Sequence, residues 1–328
     1  MKKIGILGGG VWGSALAKIL NKNNVVLFAR DQKIVKSINN FKLNPKLKYA
    51  TFNDNVSATT SLSDLKDCEY LIIALPTNEI REVIKSLGKI STNQHIIIGS
   101  KGIEIKSKML PYDILKTTLD TNNISILSGP CFSIEVAQNL PTAVTLAAHN
   151  INMFNEINLL FSNKNFRLYF SDDITGCQLG GALKNIYAIA VGITIGLNLG
   201  ENAKSALISR SFAEIIKFAN LMNAKPQTIF GLSGLGDLIL TCNSLKSRNT
   251  SFGQFIGSHK KIDIPSYVKT LETTEGYYTV KAVHEISLEK NISMPIADAV
   301  YNILYNSSSI SDEINTLLNR PATKEFID

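Results

Sequence analysis

The sequence predicts an α/β protein in which a doubly wound, mostly parallel sheet is followed by an all-helical C-terminal domain. In the first half of the chain, short apolar runs alternate with helical stretches, as in parallel sheets covered by helices. From Ile174 onward the pattern is mainly helical and begins with a long apolar segment. A chain of 328 residues usually forms two domains, which we place at residues 1–173 and 174–328.

Seven apolar runs are the predicted strands of this sheet. They are KIGIL at 3–7, VVLFAR at 25–30, YLIIALP at 70–76, QHIIIGS at 94–100, ISILSGP at 124–130, TAVTLAA at 142–148 and FRLYFS at 166–171. Ligands of doubly wound sheets bind beyond the carboxyl ends of the strands. Lys101, which directly follows one of these runs, is therefore a candidate contact for a substrate oxygen or phosphate, although a lone lysine there is more often a surface residue.

A glycine-rich turn joins the first run to the first helical stretch. Gly8, Gly10 and Gly13 have the G-x-G-x-x-G spacing between KIGIL and SALAKILNK. In this context the first glycine makes the tight turn, the second lets a pyrophosphate approach the backbone, and the third lets the helix pack on the strand. The amide groups at the helix start then face the anion. The sequence predicts a Rossmann-like site for a nicotinamide dinucleotide, with an ordinary glycine turn as the less favoured alternative.

The end of the second strand bears on which dinucleotide binds. Sites for NAD have an acidic residue there that accepts the ribose 2′-hydroxyl. Here the strand ends in Phe28-Ala29-Arg30, and the first carboxylate is that of Asp31. Because Arg30 can pair with a 2′-phosphate, we favour NADPH over NADH. A solvated arginine at a strand end is the open alternative.

Lys184 and Asn185 lie inside the apolar stretch GALKNIYAIAVG, which reads as a buried helix. On that helix Lys184 is flanked one turn away by Gly180 and Gly181, and by Ala188 on the other side. Helix interiors avoid glycine, at about 1 kcal/mol each relative to alanine, unless something approaches closely. We therefore predict a ligand in a hollow beside Lys184. A lysine whose head reaches water is equally compatible with the helix pattern.

Two later motifs favour the ligand site. GLSGLGDLILTC carries Asp237 and, one turn later, Thr241, and the KSRN segment carries Ser247, Arg248 and Asn249. The planar guanidinium suits a phosphate, and the serine and asparagine add neutral donors. Taken singly, the arginine is usually a surface charge and the aspartate a turn residue or helix cap. Together with the lysine in the apolar helix they predict a site for phosphate binding and proton transfer.

Composition excludes several other classes of function. The net charge is +7, but the lysines are scattered and the short basic runs are only Lys2-Lys3 and Lys260-Lys261, so we expect no nucleic-acid partner. Four separate cysteines without a C-x-x-C pair predict neither a metal site nor a redox pair. The N-terminal apolar run is short and ends in glycines, and no segment reaches the roughly 18 apolar residues of a membrane span. We expect a cytoplasmic protein with a small phosphate substrate and no stable membrane insertion; a homodimer stays open.

These motifs belong to a longer series of segments. The series is GGGVWGSALA, LPT, SKG, SGPCF, LGGALKNIYAIAVG, ALISR, GLGDLILTC, KSRN and TEG. In this order it resembles the bacterial NAD(P)-dependent glycerol-3-phosphate dehydrogenases, from Lys3 to about Pro295. The resemblance implies a Rossmann-like domain followed by a helical domain. It also implies the reversible reduction of dihydroxyacetone phosphate by NAD(P)H to sn-glycerol 3-phosphate, which supplies phospholipid synthesis.

The resemblance further implies roles for residues at matching positions. Lys184 and Asp237 are the implied catalytic pair, with Lys184 as the acid and base. The implied substrate-site residues are Lys101, Gly129, Cys131, Lys184, Asn185, Asp237, Thr241, Ser247, Arg248 and Asn249, the last two gripping the phosphate. The implied cofactor contacts are Gly8, Gly10, Val11, Trp12, Gly13, Arg30, Lys101, Ser133, Arg248, Thr273 and Glu275. The chain departs from the family at Cys131 and Ser133, where Ser or Thr and then Ala are usual, at Thr273 and Thr274, where valines are usual, and at Ser14, where threonine is usual. A contact that needs a side-chain hydroxyl is weakened by the thiol of Cys131.

Two other functions remain open from the sequence. A related two-domain reductase of hydroxy acids or ketoacids can share the glycine turn and a lysine in the second domain, but its carboxylate substrate does not call for the SRN phosphate grip. A catalytically idle nucleotide sensor needs the glycine turn but has no use for Lys184, Asp237 and Arg248 together.

Overall fold

The computed structural model describes residues 1–47, 51–91, 93–161, 163–259, 262–322 and 324–325. The basic pair Lys260-Lys261 lies outside these ranges. The chain forms two compact units, the first made of Met1–Lys101 and Met109–Gln178 and the second of Gly102–Lys108 and Leu179–Asp328. The domain boundary at residues 173 and 174 stays a prediction.

One mostly parallel sheet forms the centre of the first unit. Its strands in the described residues are β1 (Lys3–Leu7), β2 (Asn24–Phe28), β3 (Val56–Thr59), β4 (Tyr70–Ile73), β5 (His95–Ile98), β6 (Ile124–Ser128), β7 (Thr142–Ala147) and β8 (Phe166–Ser171). They lie in the order β3-β2-β1-β4-β5-β6-β7-β8. Every neighbouring pair is parallel except β6 and β7, which are antiparallel.

Helices cover both faces of this sheet. They are α1 (Val11–Ile19), α2 (Gln32–Phe41), α3 (Ile80–Leu87), α4 (Pro111–Thr118), α5 (Ser133–Ala137) and α6 (Ile151–Leu160). Because side chains alternate along a strand, Ile4 and Ile6 of β1 belong to one buried cluster, with α1, α2, α5 and α6. Leu7 belongs to a second buried cluster, with α3 and α4. Strands buried on both faces explain the continuous apolar runs and confirm the predicted doubly wound sheet.

The predicted strands agree with the structure except at some ends and at β3. Several predicted runs extend beyond the strand because their last residues leave the sheet for turns at its carboxyl edge. β3 was not predicted. Only Val56 and Ala58 of its four residues are buried, whereas Ser57 is exposed, so the segment lacks a recognisable apolar run.

From Ile174 to Leu318 the regular elements of the described chain are helices. They are α7 (Ile174–Gly196), α8 (Gly200–Leu221), α9 (Pro226–Phe230), a π-helical turn (Leu232–Gly236), α10 (Asp237–Cys242), α11 (Arg248–Ser258), α12 (Ile264–Thr270), α13 (Glu275–Glu289), α14 (Pro295–Tyr305) and α15 (Ile310–Leu318). This confirms the predicted all-helical C-terminal part. The short segment Gly102–Lys108 joins this unit, where Lys108 Nζ lies 3.5 Å from Glu285 Oε2 and also contacts Glu289 on α13.

α7 is a helix of 23 residues, of which those from Leu179 onward belong to the second unit. Among the described residues it is the one helix that is long and apolar enough to cross a membrane, in spite of the lysine and asparagine that it carries. However, 89% of its most apolar 18-residue window is buried inside the protein. Such burial is typical of a core helix rather than of a membrane span.

Glycines bring α7 and α11 into backbone contact. A Cβ placed on Gly192 would lie 2.1 Å from the carbonyl oxygen of Thr250, and one on Gly253 would lie 2.1 Å from that of Ile189. Gly196 and Gly257 meet the facing backbone in the same way. We call these four residues the glycine seam. Since α11 begins with Arg248 and Asn249, the seam fixes the predicted phosphate grip relative to α7.

Candidate active site

The glycine turn follows β1 and leads into α1, which begins at Val11. Gly8 has φ +129°, a left-handed conformation that favours glycine, and a Cβ there would lie 2.4 Å from the carbonyl oxygen of Ala74. A Cβ on Gly13 would lie 1.9 Å from the carbonyl oxygen of Gly8, so α1 packs directly on the turn. A Cβ on Gly10 would meet nothing within 4 Å. A closely packed turn with one open glycine at a helix start fits a dinucleotide pyrophosphate.

Two side chains hold this turn in place. Trp12 Nε1 donates a hydrogen bond to the carbonyl oxygen of Gly99 at 3.1 Å. Asn44, which is 1% exposed, places Nδ2 3.0 Å from the carbonyl oxygen of Gly9 and 2.5 Å from Ser14 Oγ. Sequence reasoning missed Asn44. Its Asn-Pro dipeptide is a turn signal, but the signal does not say what the side chain contacts.

Arg30 follows β2 and faces a carboxylate that the sequence analysis did not consider. Its Nη2 atom lies 2.9 Å from Oε2 of Glu79, and the arginine side chain is 73% exposed. Asp31, the first carboxylate after the strand, instead caps α2, because its Oδ1 accepts a hydrogen bond from the Lys33 amide at 2.8 Å. The carboxylate beside Arg30 therefore comes from the end of another strand.

Three other predicted residues meet at the carboxyl ends of β5 and β6. Lys101 Nζ donates to the carbonyl oxygen of Gly129 at 3.1 Å, and Cys131 Sγ donates to the same oxygen at 3.4 Å. Gly129 has φ +151°, and a Cβ there would lie 2.9 Å from Val144 Cα, so no larger residue fits. Ser133 is the first residue of α5. The structure thus brings Lys101, Gly129 and Cys131 together.

In the second unit, Lys184 forms a buried ion pair. The residue is 7% exposed and Asp237 is fully buried. Lys184 Nζ donates to Asp237 Oδ1 and, at 2.9 Å, to Thr241 Oγ1. Thr241 Oγ1 in turn donates to the Asp237 carbonyl oxygen at 2.6 Å. The alternative of a lysine head in water is therefore wrong.

The neighbouring Cys242 is also fully buried. A buried charge is tolerated when it is paired and hydrogen-bonded, as Lys184 and Asp237 are here. Burial also raises the pKa of the adjacent Cys242 thiol to about 12, against a lowering by the nearby lysine. Cys242 therefore stays a neutral thiol near pH 7, which leaves it without a nucleophilic or acid–base role.

A chain of amide groups continues from the ion pair. Asn249 Nδ2 donates to Asn185 Oδ1 at 3.0 Å, and Asn249 Oδ1 accepts from the Gly276 amide at 3.0 Å. Thr250 Oγ1 donates to the carbonyl oxygen of Thr241 at 2.8 Å. These bonds connect α7, α10, α11 and α13. Sequence reasoning missed Thr250, although it directly follows the SRN motif in the first turn of α11.

The remaining predicted residues lie at the starts of α11 and α13. Ser247 caps α11, its Oγ accepting from the backbone amide three residues later at 3.3 Å. Arg248 is the first residue of α11; its side chain is 50% exposed, and Nη1 lies 3.7 Å from Glu272 Oε2. Glu275 begins α13, and Thr273 precedes it by two residues, partly exposed.

Gly180, one turn before Lys184, allows the π-helical turn to pack closely on α7. A Cβ on Gly180 would lie 2.3 Å from the carbonyl oxygen of Ser233 and 2.7 Å from Gly234 Cα. The π-helical turn thus fills the space at Gly180, and the predicted ligand hollow on that side is wrong. A glycine makes room for backbone as well as for a ligand, and the sequence pattern is the same in both cases. Because α10 follows the turn directly, this contact brings Asp237 to Lys184.

Comparison with known proteins assigns the chain to a family. The N-terminal model of NAD-dependent glycerol-3-phosphate dehydrogenase matches residues 3–154, and the C-terminal model matches residues 173–315. A glycerol-3-phosphate dehydrogenase (NAD(P)+) of Novosphingobium aromaticivorans is 38% identical over 327 residues, which cover 98% of each chain. The chain belongs to the NAD-dependent glycerol-3-phosphate dehydrogenase family.

Other members of the family match over the same length. A glycerol-3-phosphate dehydrogenase (NAD(P)+) of Lactobacillus helveticus is 39% identical over 339 residues, covering 99% of each chain. The crystal structure of glycerol-3-phosphate dehydrogenase from Coxiella burnetii superposes with a TM-score of 0.92 at 33% identity, over 97% of this chain and 99% of that one. The resemblance found in the sequence is confirmed, while the roles of individual residues stay predictions.

Proposed function

We propose that this chain reversibly reduces dihydroxyacetone phosphate to sn-glycerol 3-phosphate with NADH or NADPH, and so supplies glycerophospholipid synthesis. The buried ion pair of Lys184 and Asp237 is the observation that carries the proposal, since a ketone reduction needs a positioned proton donor. Membership in the glycerol-3-phosphate dehydrogenase family supports the substrate and the cofactor class.

Lys184 acts on the carbonyl oxygen of the substrate. A bound nicotinamide supplies the hydride for the carbonyl carbon. The ammonium group of Lys184 donates a hydrogen bond to the carbonyl oxygen, polarises the carbonyl bond and then transfers a proton to that oxygen. In the reverse direction the neutral amine takes the proton back. Asp237 and Thr241 direct the lysine Nζ through their hydrogen bonds and stabilise its positive charge.

Arg248 and Asn249 hold the phosphate of the substrate. The guanidinium of Arg248 can donate two parallel hydrogen bonds to phosphate oxygens, and the start of the 11-residue helix α11 favours an anion. Asn249 is fixed by its bonds to Asn185 and Gly276. An anchored phosphate restricts the carbonyl group to one orientation, which lowers the entropic part of the barrier.

We assign a preference for NADPH to Arg30, whose exposed guanidinium suits a 2′-phosphate. A cytoplasmic location fits the four cysteines, all of which are free thiols and three of which are buried. Cell fractionation with activity measured in each fraction tests the location, and kcat/KM for both cofactors tests the preference.

The reaction is tested by following NADPH and NADH oxidation with three substrates. We expect rapid oxidation with dihydroxyacetone phosphate and a kcat/KM lower by about 100-fold or more with dihydroxyacetone, because the phosphate contacts are lost. Faster oxidation with a 2-ketoacid would instead favour the reductase of ketoacids. Cofactor binding without turnover of any carbonyl would favour a nucleotide sensor.

The role of Lys184 is tested by substitution. Lys184→Ala should lower turnover by orders of magnitude and leave the Kd for NADPH nearly unchanged. Because this change leaves the carboxylate of Asp237 buried without its partner, the double variant Lys184→Met/Asp237→Asn serves as a well-folded inactive form. Lys269→Ala, at an exposed position of α12, is the matched control and should keep full activity. Turnover like that of the wild type in Lys184→Ala rules out the proposed role.

A further inference from the structure

The ion pair of Arg30 and Glu79 lies across the carboxyl end of β1. β2 and β4 both pair with β1, one on each side. Arg30 follows β2, and Glu79 ends the short 3₁₀ turn Thr77–Glu79 that follows β4. Since Nη2 and Oε2 are only 2.9 Å apart, the two side chains bridge over the strand between them. Gly8, at the end of that strand, begins the glycine turn.

We propose that Glu79 is a specificity-determining residue of the dinucleotide site: its carboxylate competes with the 2′-phosphate of NADPH for Arg30 and so reduces the preference for NADPH over NADH. The inference rests on the proposed function, because it takes the glycine turn to be the cofactor site. Arg30 alone favours the phosphorylated cofactor. The carboxylate of Glu79 opposes this preference.

The physical reason is the repulsion between the Glu79 carboxylate and the 2′-phosphate of NADPH. A phosphate monoester carries a charge of about −1.5 to −2 at neutral pH. To reach Arg30, the 2′-phosphate must displace the Glu79 carboxylate or lie beside it, and either event costs free energy. The 2′-hydroxyl of NADH is neutral and meets no such repulsion. A carboxylate near this hydroxyl can also accept its hydrogen bond, as acidic residues do in NAD sites.

Glu79 suits this role better than the neighbouring Asp31. Asp31 caps α2 through its backbone contact at Lys33, so its carboxylate is already used in the helix start. The Arg30 side chain is 73% exposed, whereas that of Glu79 is 35% exposed and its Oε2 atom is buried without a hydrogen bond from the described residues. An ion pair with one partner largely in solvent contributes little to stability. A ligand can therefore draw Arg30 away at small cost, and we expect a neutral variant at position 79 to keep its fold.

The experiment compares cofactor binding to the wild type and to Glu79→Gln, which keeps the shape and removes the charge. The Kd values of NADPH and NADH are measured by titration calorimetry at low ionic strength, and emission of Trp12, the single tryptophan, gives a second readout in the glycine turn. We expect the Kd of NADPH to fall about fivefold, as for removal of one like charge about 4 Å away in water. The Kd of NADH should stay within about twofold or rise. Salt near 1 M should reduce the difference.

Two further variants complete the test. Glu82→Gln, at an exposed position in the first turn of α3, removes the same charge from a glutamate paired with Lys85, and both Kd values should stay unchanged. Arg30→Gln should weaken NADPH binding. If the ratio of the two Kd values is the same in Glu79→Gln and in the wild type, Glu79 does not set specificity and the inference is wrong. If the ratio shifts as expected but dihydroxyacetone phosphate is not reduced, the inference holds for the nucleotide site and the proposed reaction fails.

Discussion

Replacing Glu214 with glutamine should change how the stability of the protein depends on pH. Glu214 lies on α8 and is 7% exposed. Its carboxylate accepts hydrogen bonds from the amides of Ile296 at 2.7 Å and Ala297 at 3.2 Å, at the start of α14, and from the Tyr187 hydroxyl at 3.2 Å. The pKa of Glu214 is raised from 4.5 to about 7, mainly by burial. The charge of Asp298 adds to this rise, and the three hydrogen bonds oppose part of it.

The direction and size of the effect follow from this shift. Because the folded chain binds the proton of Glu214 more tightly than the unfolded chain does, the group stabilises the fold most below pH 4.5. This contribution is lost as the pH rises through about 7. At 1.36 kcal/mol for each pKa unit, the shift is worth about 3 kcal/mol, most of it between pH 5 and 8.

Urea unfolding followed by circular dichroism measures this contribution. The quantity to plot is the free energy of unfolding of the wild type minus that of Glu214→Gln, at several values between pH 5 and 8. Contributions of other titrating groups are the same in both proteins and cancel in this difference. The new amide places a donor against backbone donors, which changes the difference by the same amount at every pH. We expect a fall of about 2–3 kcal/mol over this range. Glu201→Gln, whose side chain is 85% exposed on the same helix, should give a flat difference. A flat difference for Glu214→Gln as well would refute the reasoning.

Three further substitutions test packing and binding. Gly13→Ala places a methyl group 1.9 Å from the Gly8 carbonyl oxygen, so the Kd for NADPH should rise by about tenfold or more, as measured by calorimetry; an unchanged Kd would contradict the role of the turn. Gly192→Ala places one 2.1 Å from the Thr250 carbonyl oxygen and should destabilise the protein by about 1–3 kcal/mol in thermal unfolding, whereas an unshifted Tm would mean that α11 moves freely. Arg248→Ala should raise KM for dihydroxyacetone phosphate by about tenfold or more in steady-state kinetics, and an unchanged KM would place the phosphate elsewhere.

Local patterns were enough to predict most of the fold. A buried parallel strand is a continuous apolar run, so KIGIL matches β1 at both ends. FRLYFS also matches β8 at both ends, although buried and exposed residues alternate along its first four positions. β3 was not predicted because only its two buried residues, Val56 and Ala58, are apolar. The allocation of Gly102–Lys108 to the second unit depends on contacts such as that of Lys108 with Glu285, for which the sequence carries no local signal.

The candidate site was predictable as a set of residues but not as a set of contacts. The residue types at Lys184, Asp237 and Asn249 already indicated chemistry, because polar groups in apolar helices and glycine turns need a reason. Which partner each side chain takes is decided by tertiary packing. The pairing of Arg30 with Glu79, 49 positions apart, illustrates the limit of sequence reasoning.

The glycine seam has a consequence for how the enzyme tolerates change. Where two helices touch through peptide atoms, their separation is set by the van der Waals radii of the backbone and not by the volumes of side chains. Aliphatic residues elsewhere along α7 and α11 can then be exchanged for others of different size at some loss of stability while the axes keep their spacing. The proposed proton donor on α7 and the proposed phosphate-binding residues at the start of α11 would keep their mutual distance through such changes, so the geometry of the proposed site would tolerate repacking of the surrounding core.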